Sequence, residues 1–404
     1  MKIFKRVLLS VIIIAGSISM YAQGTDYENK YRRLGYNTIT HAVPFITLSP
    51  DARSGSMADV GAATEADANS MHWNPAKYAF IDKNAGVSLN YTPWMRSLGI
   101  SDINLFNVAG YYKLDDKSAI AATLTYFSLG EITYRDNSGN NLGQARPNEF
   151  AIDATYSRKF SEKISGAVAG RFIYSNLTAG LTDNYANKAG TSVAADIALY
   201  YVEPLTISQM DAEFILGVNI SNIGSKMSYD ITKQRKEFIP TNLRIGPALK
   251  LNIDDYNSFL IAVEASKLLV PTPPLTDDEG NIIYGRDSNV SLIKGMIQSF
   301  YDAPGYTEYE GEYQRIGVFR EELQEITLSI GAEYWYNRLF AVRLGYFYEN
   351  PRKGDRQYIT IGAGIRYNVF GLDLSYLIAL KRNSPLENTL RVSLTLDFDA
   401  FSGQ

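Results

Sequence analysis

Between residues 86 and 398 the chain is dominated by fourteen stretches of about ten residues in which apolar and polar side chains alternate. A period of two puts the two sets on opposite faces of a β-strand. The stretches run Gly86–Tyr91, Asn104–Lys113, Ala119–Ser128, Glu149–Phe160, Ile164–Ser175, Ser192–Tyr201, Glu213–Ile223, Asn242–Leu251, Phe259–Lys267, Ile326–Tyr336, Phe340–Glu349, Tyr358–Asn368, Phe370–Ala379 and Leu390–Phe398. Their length, alternation and even number predict an all-β fold, an antiparallel transmembrane β-barrel of about fourteen strands. In the last stretch Leu390, Val392, Leu394, Leu396 and Phe398 share one face, and Arg391, Ser393, Thr395 and Asp397 the other. Only the first set can meet lipid.

The connections sort by parity, as they do where short periplasmic turns alternate with long extracellular loops. Short links fall at Leu114–Lys117, Ser161–Lys163, Asn252–Asn257, Asn337–Arg338 and near Val369, with a somewhat longer one after Val202. The long ones are Thr92–Ile103, Leu129–Asn148, Asn176–Thr191, Gly224–Thr241, Leu268–Glu325, Asn350–Gln357 and Lys381–Thr389. The first strand therefore runs outward and both ends of the barrel lie on the periplasmic side.

The start of the chain fits export. Lys2, Lys5 and Arg6 precede an apolar run from Val7 to about Ile18, and Tyr21-Ala22-Gln23 offers a cleavage point before Gln23, with Ser19 as the alternative. Residues 1–22 are thus expected to be a signal peptide, too short for a stable membrane helix. The 29 tyrosines suit an apolar surface with wet rims, because the ring is apolar and its hydroxyl stays at water level. A net charge of −4 lacks the basic field of a nucleic-acid binder. With no cysteine there is no disulfide, thiolate nucleophile or Cys-based zinc site, and the two histidines, His41 and His72, are too far apart for a helical metal pair. Neither sits near a nucleophile-elbow motif, so no catalytic constellation, metal or cofactor is expected.

With the more apolar face of each strand outward, the ionisable residues facing the lumen are Asp153, Arg171, Asp196, Arg244, Lys250, Glu264, Glu333, Arg343, Arg366, Asp373, Arg391 and Asp397. Acids and bases are equal in number, which predicts ion-pair networks with whatever fills the lumen rather than a selective ring of one sign. Residues 23–85 are too many for a simple leader and are rich in small side chains, so they are expected to fill the lumen, with residues 86–398 forming the barrel.

Within that segment Pro50-Asp51-Ala52-Arg53, Gly55, Met57 and Asp59-Val60-Gly61 are followed by Trp73-Asn74-Pro75-Ala76-Lys77-Tyr78-Ala79-Phe80. This pattern ahead of a fourteen-strand barrel resembles the FadL-like (OMPP1/FadL/TodX) family of outer-membrane barrels, and within it the branch belonging to the type IX secretion system of Bacteroidetes. Ser54 and Ser56 stand where smaller residues or Gly are expected. The resemblance implies a non-enzymatic protein of the outer membrane. It implies that cargo with a C-terminal signal domain is received beside the giant translocation channel and carried to the surface sortase complex, where lipopolysaccharide is attached. The wider family implies the alternative, transport of fatty acids or other hydrophobic compounds. That alternative needs an apolar pocket with a cation for the carboxylate, and the inferred lumen is polar and sign-balanced, with Gly217, Gly345, Gly362 and Gly364 among it.

The loop Leu268–Glu325 is far longer than structureless loops usually are. Leu292, Ile293, Met296, Ile297 and Phe300 recur there at helical spacing after Ser288 or Asn289 as N-cap, predicting an amphipathic helix. Tyr284, Tyr301, Tyr306, Tyr309 and Tyr313 add side chains of the kind enriched at interfaces. Leu292, Met296 and Phe300 with these tyrosines are the candidate partner surface, or else a lid on the barrel itself.

Overall fold

A computed structural model describes residues 37–135, 141–177, 188–229, 236–276, 281–309, 312–381 and 384–398. The expected signal peptide and residues 23–36 lie outside the described residues, as do residues 401–404. Fourteen strands close into one antiparallel barrel in sequence order. They are β1 Ala85–Pro93, β2 Ile103–Lys113, β3 Ser118–Leu129, β4 Asn148–Lys159, β5 Ile164–Asn176, β6 Gly190–Ile207, β7 Met210–Gly224, β8 Asn242–Asn252, β9 Asn257–Leu268, β10 Thr327–Tyr336, β11 Phe340–Tyr348, β12 Gln357–Tyr367, β13 Phe370–Ala379 and β14 Leu390–Phe398. Closure is made by β1 on β14, from Ala85 opposite Phe398 to Tyr91 opposite Val392. A closed sheet leaves no edge and satisfies its ladder hydrogen bonds internally, which a lipid-facing wall requires.

Side chains alternate along each strand as the sequence requires. Val87 and Leu89 on β1, Phe106 and Val108 on β2, Val342 and Leu344 on β11, and Leu390 and Leu394 on β14 are exposed, while Ser88, Asn90, Asn107, Arg343, Arg391 and Ser393 are buried. The exposed row can only suit hydrocarbon. Phe160, Tyr256, Tyr336, Phe340, Tyr367 and Phe370 stand exposed beside the short turns, forming an aromatic belt at that end.

One connection differs from its expectation. The link after Val202 is not a loop, because β6 continues to Ile207 and β7 restarts at Met210 across a two-residue turn. Ser208 and Gln209 take φ of 51° and 69°, the paired left-handed conformation of a type I′ hairpin. Pro204 pairs only with Glu213 of β7, since pairing with β5 has ended at Tyr201 opposite Ile164. A proline costs nothing on an open side.

The long loops carry structure of their own. Ile132–Arg135 pairs with Asn141–Ala145 after β3, and the segment between β9 and β10 holds helices Leu292–Gln298 and Val318–Gln324 with two short hairpins. The first helix is capped by Ser291, not Ser288 or Asn289, and Ser291 makes no side-chain cap bond.

Because the ladder is closed, the unheated protein is expected to resist detergent and to migrate faster on a denaturing gel than the boiled one. Equal mobility in the two states would count against the closed sheet.

Candidate functional site

Residues 37–84 run through the lumen, and their small side chains are what let the backbone lie against the wall. A Cβ on Gly217 would run into the Ala62 carbonyl, and one on Gly345 into the backbone of Met57. Asp51 organises the upper part: its Oδ2 accepts the Ser54 N–H at 2.8 Å, capping helix Ala52–Gly55, and its Oδ1 accepts Trp73 Nε1–H at 2.6 Å. Pro50 and Trp73 are buried. Ser54 and Ser56 are both buried, and Ser56 Oγ donates to the Arg53 carbonyl at 2.6 Å.

Asn74 and Pro75 turn the chain toward the wall. The Asn74 Oδ1 accepts the Ala76 N–H at 3.0 Å, and its Nδ2 donates to the carbonyls of Ala62 at 3.0 Å and Leu199 at 2.9 Å. Pro75 opens the 3-10 helix Pro75–Phe80, at the position where a missing N–H is harmless. Lys77 Nζ reaches the Gly61 carbonyl and Thr64 Oγ1, both at 2.9 Å.

The inward charges meet this segment and one another. Arg53 holds Glu333 through two bonds, 3.0 Å from Nε and 2.7 Å from Nη2, and Asp67 at 3.0 Å. Glu333 also takes Arg343 Nε at 2.5 Å, Arg343 reaches Asp373 at 2.8 Å, and Asp373 takes Arg366 at 2.6 Å. Across the lumen Arg171 pairs with Asp153 and, at 3.3 Å, with Asp196. Arg244 pairs with Glu264 at 2.7 Å, while Glu264 also accepts the N–H groups of Gly61 and Ala62. Lys250 meets Glu65 at 2.5 Å and Glu213 at 3.4 Å, and Asp397 accepts the Tyr111 hydroxyl at 3.1 Å. Arg391 stands apart: it is buried beside Gly55, and its Nε and Nη1 have no hydrogen-bond partner among the described residues. A cavity of about 20 Å³ among Phe45, Ile46, Met71, His72, Asp153 and Arg171 has room for about one water.

The other candidate surface lies at the long-loop end. Two lysines of the barrel rim fasten the segment between β9 and β10. Lys267 binds Glu322 at 3.0 Å and Glu325 at 2.6 Å, and Lys353 binds Glu321 at 2.8 Å and Glu325 at 2.9 Å. Glu322 and Glu321 also accept the N–H groups of Ala303 and Gly305, at 2.9 and 2.8 Å. Burial alone would raise the Glu325 carboxyl, but Lys353 and Lys267 hold it below its ordinary value. Burial pushes Asp302 up to about 6, against the hydrogen bond from Gln298. The loop is therefore fastened to the barrel rather than free.

Fastening decides which face of helix Leu292–Gln298 is presented. Gly295 presses on Phe238 and Pro271, and Leu292 and Met296 are half-buried. Ile293, Ile297 and Phe300 are 59, 58 and 51 % exposed and form one row, with Tyr301 exposed beside Arg286. Of the cluster read from the sequence, Phe300 and Tyr301 thus face outward, whereas Leu292 and Met296 turn toward the protein. Tyr306 stacks on Tyr284 with ring centroids 3.8 Å apart, and the side chains of Tyr309 and Tyr313 lie outside the described ones. Val318, Phe319 and Leu323 on the second helix are also exposed and were not singled out from the sequence; the only signal was an apolar pair opening a charged run.

No curated protein matches the chain. Among solved structures, the TodX deltaS2S3 mutant monoaromatic hydrocarbon channel superposes with a TM-score of 0.51 at 12 % identity, covering 86 % of this chain and 99 % of that one. The Ralstonia pickettii toluene transporter TbuX gives 0.45 at 11 % identity, covering 86 % and 98 %. A Pseudomonas aeruginosa FadL homologue gives 0.43 at 13 %, covering 89 % and 100 %. At such identity the first of these shows a shared fold and nothing of function. The family model described as type IX secretion system protein PorV matches residues 31–275, more than half of the sequence. Matched through the lumen segment and the barrel strands up to β9, the chain belongs to the PorV family and is an outer-membrane component of the type IX secretion system on a FadL-like barrel.

Proposed function

We propose that this barrel is a non-enzymatic receiver with its long-loop end facing outward from the cell. There it binds cargo bearing a C-terminal signal domain once that cargo has passed the giant translocation channel. It then delivers the cargo to the surface attachment and sortase complex, surrounded by lipopolysaccharide and outer-membrane lipid. The row Ile293, Ile297 and Phe300, held in the open by a loop that buried ion pairs fasten, carries this reading. Apolar side chains kept in water by a rigid support are the features of a binding surface, because burying them is favourable and little order is lost on binding. The test is affinity isolation from membranes. Secreted proteins sharing a C-terminal domain, and the channel, are expected to co-purify; recovery of lipid alone would sink the reading.

The second reading, passage of hydrophobic compounds, needs an apolar route. The cavity of about 20 Å³ beside Arg171 and Asp153 gives it little support. Intact protein in a planar bilayer is expected to show little steady conductance, and deletion of residues 37–84 to open large steps. Large ohmic steps from the intact protein would favour transport instead.

A further inference from the structure

Helix Leu292–Gln298 carries positive charge along one side of its exposed row. Ile293, Ile297 and Phe300 recur at helical spacing and form the crest of the helix. Lys294 and Tyr301 are about two turns apart, so they share one flank of that crest. The winding continues past the helix end, because the Phe300 N–H donates to the Ile297 carbonyl at 3.4 Å and the Tyr301 N–H to the Gln298 carbonyl at 2.9 Å. Gln298 Nε2 donates to the Asp287 carbonyl at 2.9 Å, which ties the preceding segment along the same flank. Arg286 is thereby set with its guanidinium carbon 4.6 Å from the Tyr301 ring centroid. Lys226 Nζ stands 4.0 Å over the ring of Phe238, the ring on which Gly295 presses.

Among the described residues Lys226, Arg286 and Lys294 make no ion pair, whereas Lys267, Lys353, Arg356 and Lys381 at the same end each hold a carboxylate. The aromatic faces fix where Lys226 and Arg286 sit without neutralising them. Burial and Lys236 hold the Lys226 ammonium below its ordinary range against the pull of Asp287, whose Oδ1 accepts the Asn289 N–H at 2.8 Å. The flank is therefore a row of placed cations beside a row of placed apolar side chains.

We propose that the partner seated on this row is an acidic protein segment, with apolar side chains on Ile293, Ile297 and Phe300 and aspartate or glutamate carboxylates along one edge facing Lys294, Arg286 and Lys226. The inference deepens the receiver reading and rests on its claim that the row is a binding surface; it names the chemistry that the cargo's signal domain must present. Burial of the row supplies affinity, and the flank selects, because a basic segment is repelled there while an acidic one forms charge-assisted bonds. The placement of the cations favours a protein segment over a lipid headgroup. Lys294 adjoins Ile293 and Arg286 adjoins Tyr301 next to Phe300, so the charge runs the length of the row. A phosphate headgroup concentrates its charge at one end of its apolar chains.

The test uses the full-length protein in detergent and three probes. They are a purified cargo C-terminal signal domain, a short amphipathic helical peptide with leucines on one face and glutamates along one edge, and the same peptide with lysines in place of the glutamates. The signal domain and the glutamate peptide are expected to bind, and the lysine peptide to bind about tenfold more weakly. Lys226→Glu, Arg286→Glu and Lys294→Glu combined should weaken the signal domain and the glutamate peptide about tenfold, a size that several exposed pairs reach together and one alone does not. The same variant should reverse the preference between the peptides and keep normal heat-modifiable mobility. Raising sodium chloride from about 0.05 to about 0.5 M should mimic the loss by screening. Equal binding of the two peptides, or a signal domain that binds the triple variant as well as the original, would overturn the acidic partner and leave the receiver reading standing. A signal domain that does not bind, beside a glutamate peptide that does and is lost in Ile297→Asp, would sink the receiver reading and keep the acidic partner. Binding of lipopolysaccharide vesicles that is lost in the triple variant, with neither peptide bound, would overturn the inference in favour of a lipid phosphate.

Discussion

Replacing Ile293, Ile297 and Phe300 together by aspartate is expected to leave a folded barrel with normal heat-modifiable mobility and to abolish delivery of cargo to the cell surface. Each of these side chains is more than half exposed, so its loss should change stability by no more than about 0.5 kcal/mol. As interface anchors, each would contribute about 2 kcal/mol, or roughly thirtyfold in affinity, and a buried aspartate adds a further penalty. Point variants separate binding from folding better than removal of the whole loop. Excising residues 272–318 would also strip the Ala303 and Gly305 N–H groups from Glu322 and Glu321 and leave the rim lysines facing unsupported carboxylates. Leu292→Asp serves as the contrast, since Leu292 is half-buried and its replacement should loosen the helix itself. A folded triple variant that secretes normally would remove this row as the cargo surface and shift attention to Phe319 and Leu323.

The barrel was legible because its wall repeats one rule, apolar out and polar in, with a period that survives any choice of side chain. Phe370–Ala379 and Leu390–Phe398 are read from alternation to the residue. The continuation of β6 past Tyr201 is not marked in the sequence, because Pro204 fits a strand only where its missing N–H has no ladder partner, and pairing with β5 has ended before it. The loop helix was legible in its existence and not in its orientation. Ile293, Ile297 and Phe300 follow helical spacing as well as Leu292 and Met296 do, and only the contact of Gly295 with Phe238 and Pro271 decides which set is buried. The inward charges could be named from strand parity, but their partners could not. Arg53 lies 280 positions from Glu333, and no local pattern links them.

That pair carries the largest expected effect on stability. Glu333→Ala removes the one carboxylate that takes bonds from both Arg53 and Arg343, and all three side chains are nearly inaccessible to water. Asp67 still holds Arg53, and Asp373 still holds Arg343, yet each guanidinium keeps buried N–H groups with no acceptor. Removing one partner of a buried pair typically costs about 3–5 kcal/mol, because the charge left behind cannot regain water. The midpoint of urea unfolding in detergent, or of the heat-modification shift, should fall accordingly. Arg146→Ala provides the scale, since the Arg146 and Glu131 side chains are both exposed to water and their pair should be worth at most about 1 kcal/mol. Arg53 also anchors the middle of the lumen segment to the wall, so Glu333→Ala should let that segment loosen and raise the conductance of a bilayer containing the protein. The double variant Arg53→Met with Glu333→Gln removes one of the stranded charges and keeps an amide acceptor for Arg343. It should therefore lose less stability than Glu333→Ala alone. A double variant that loses the sum of the two single losses would mean that Arg53 and Glu333 act independently, and the segment would then be held by its small-residue packing rather than by this network.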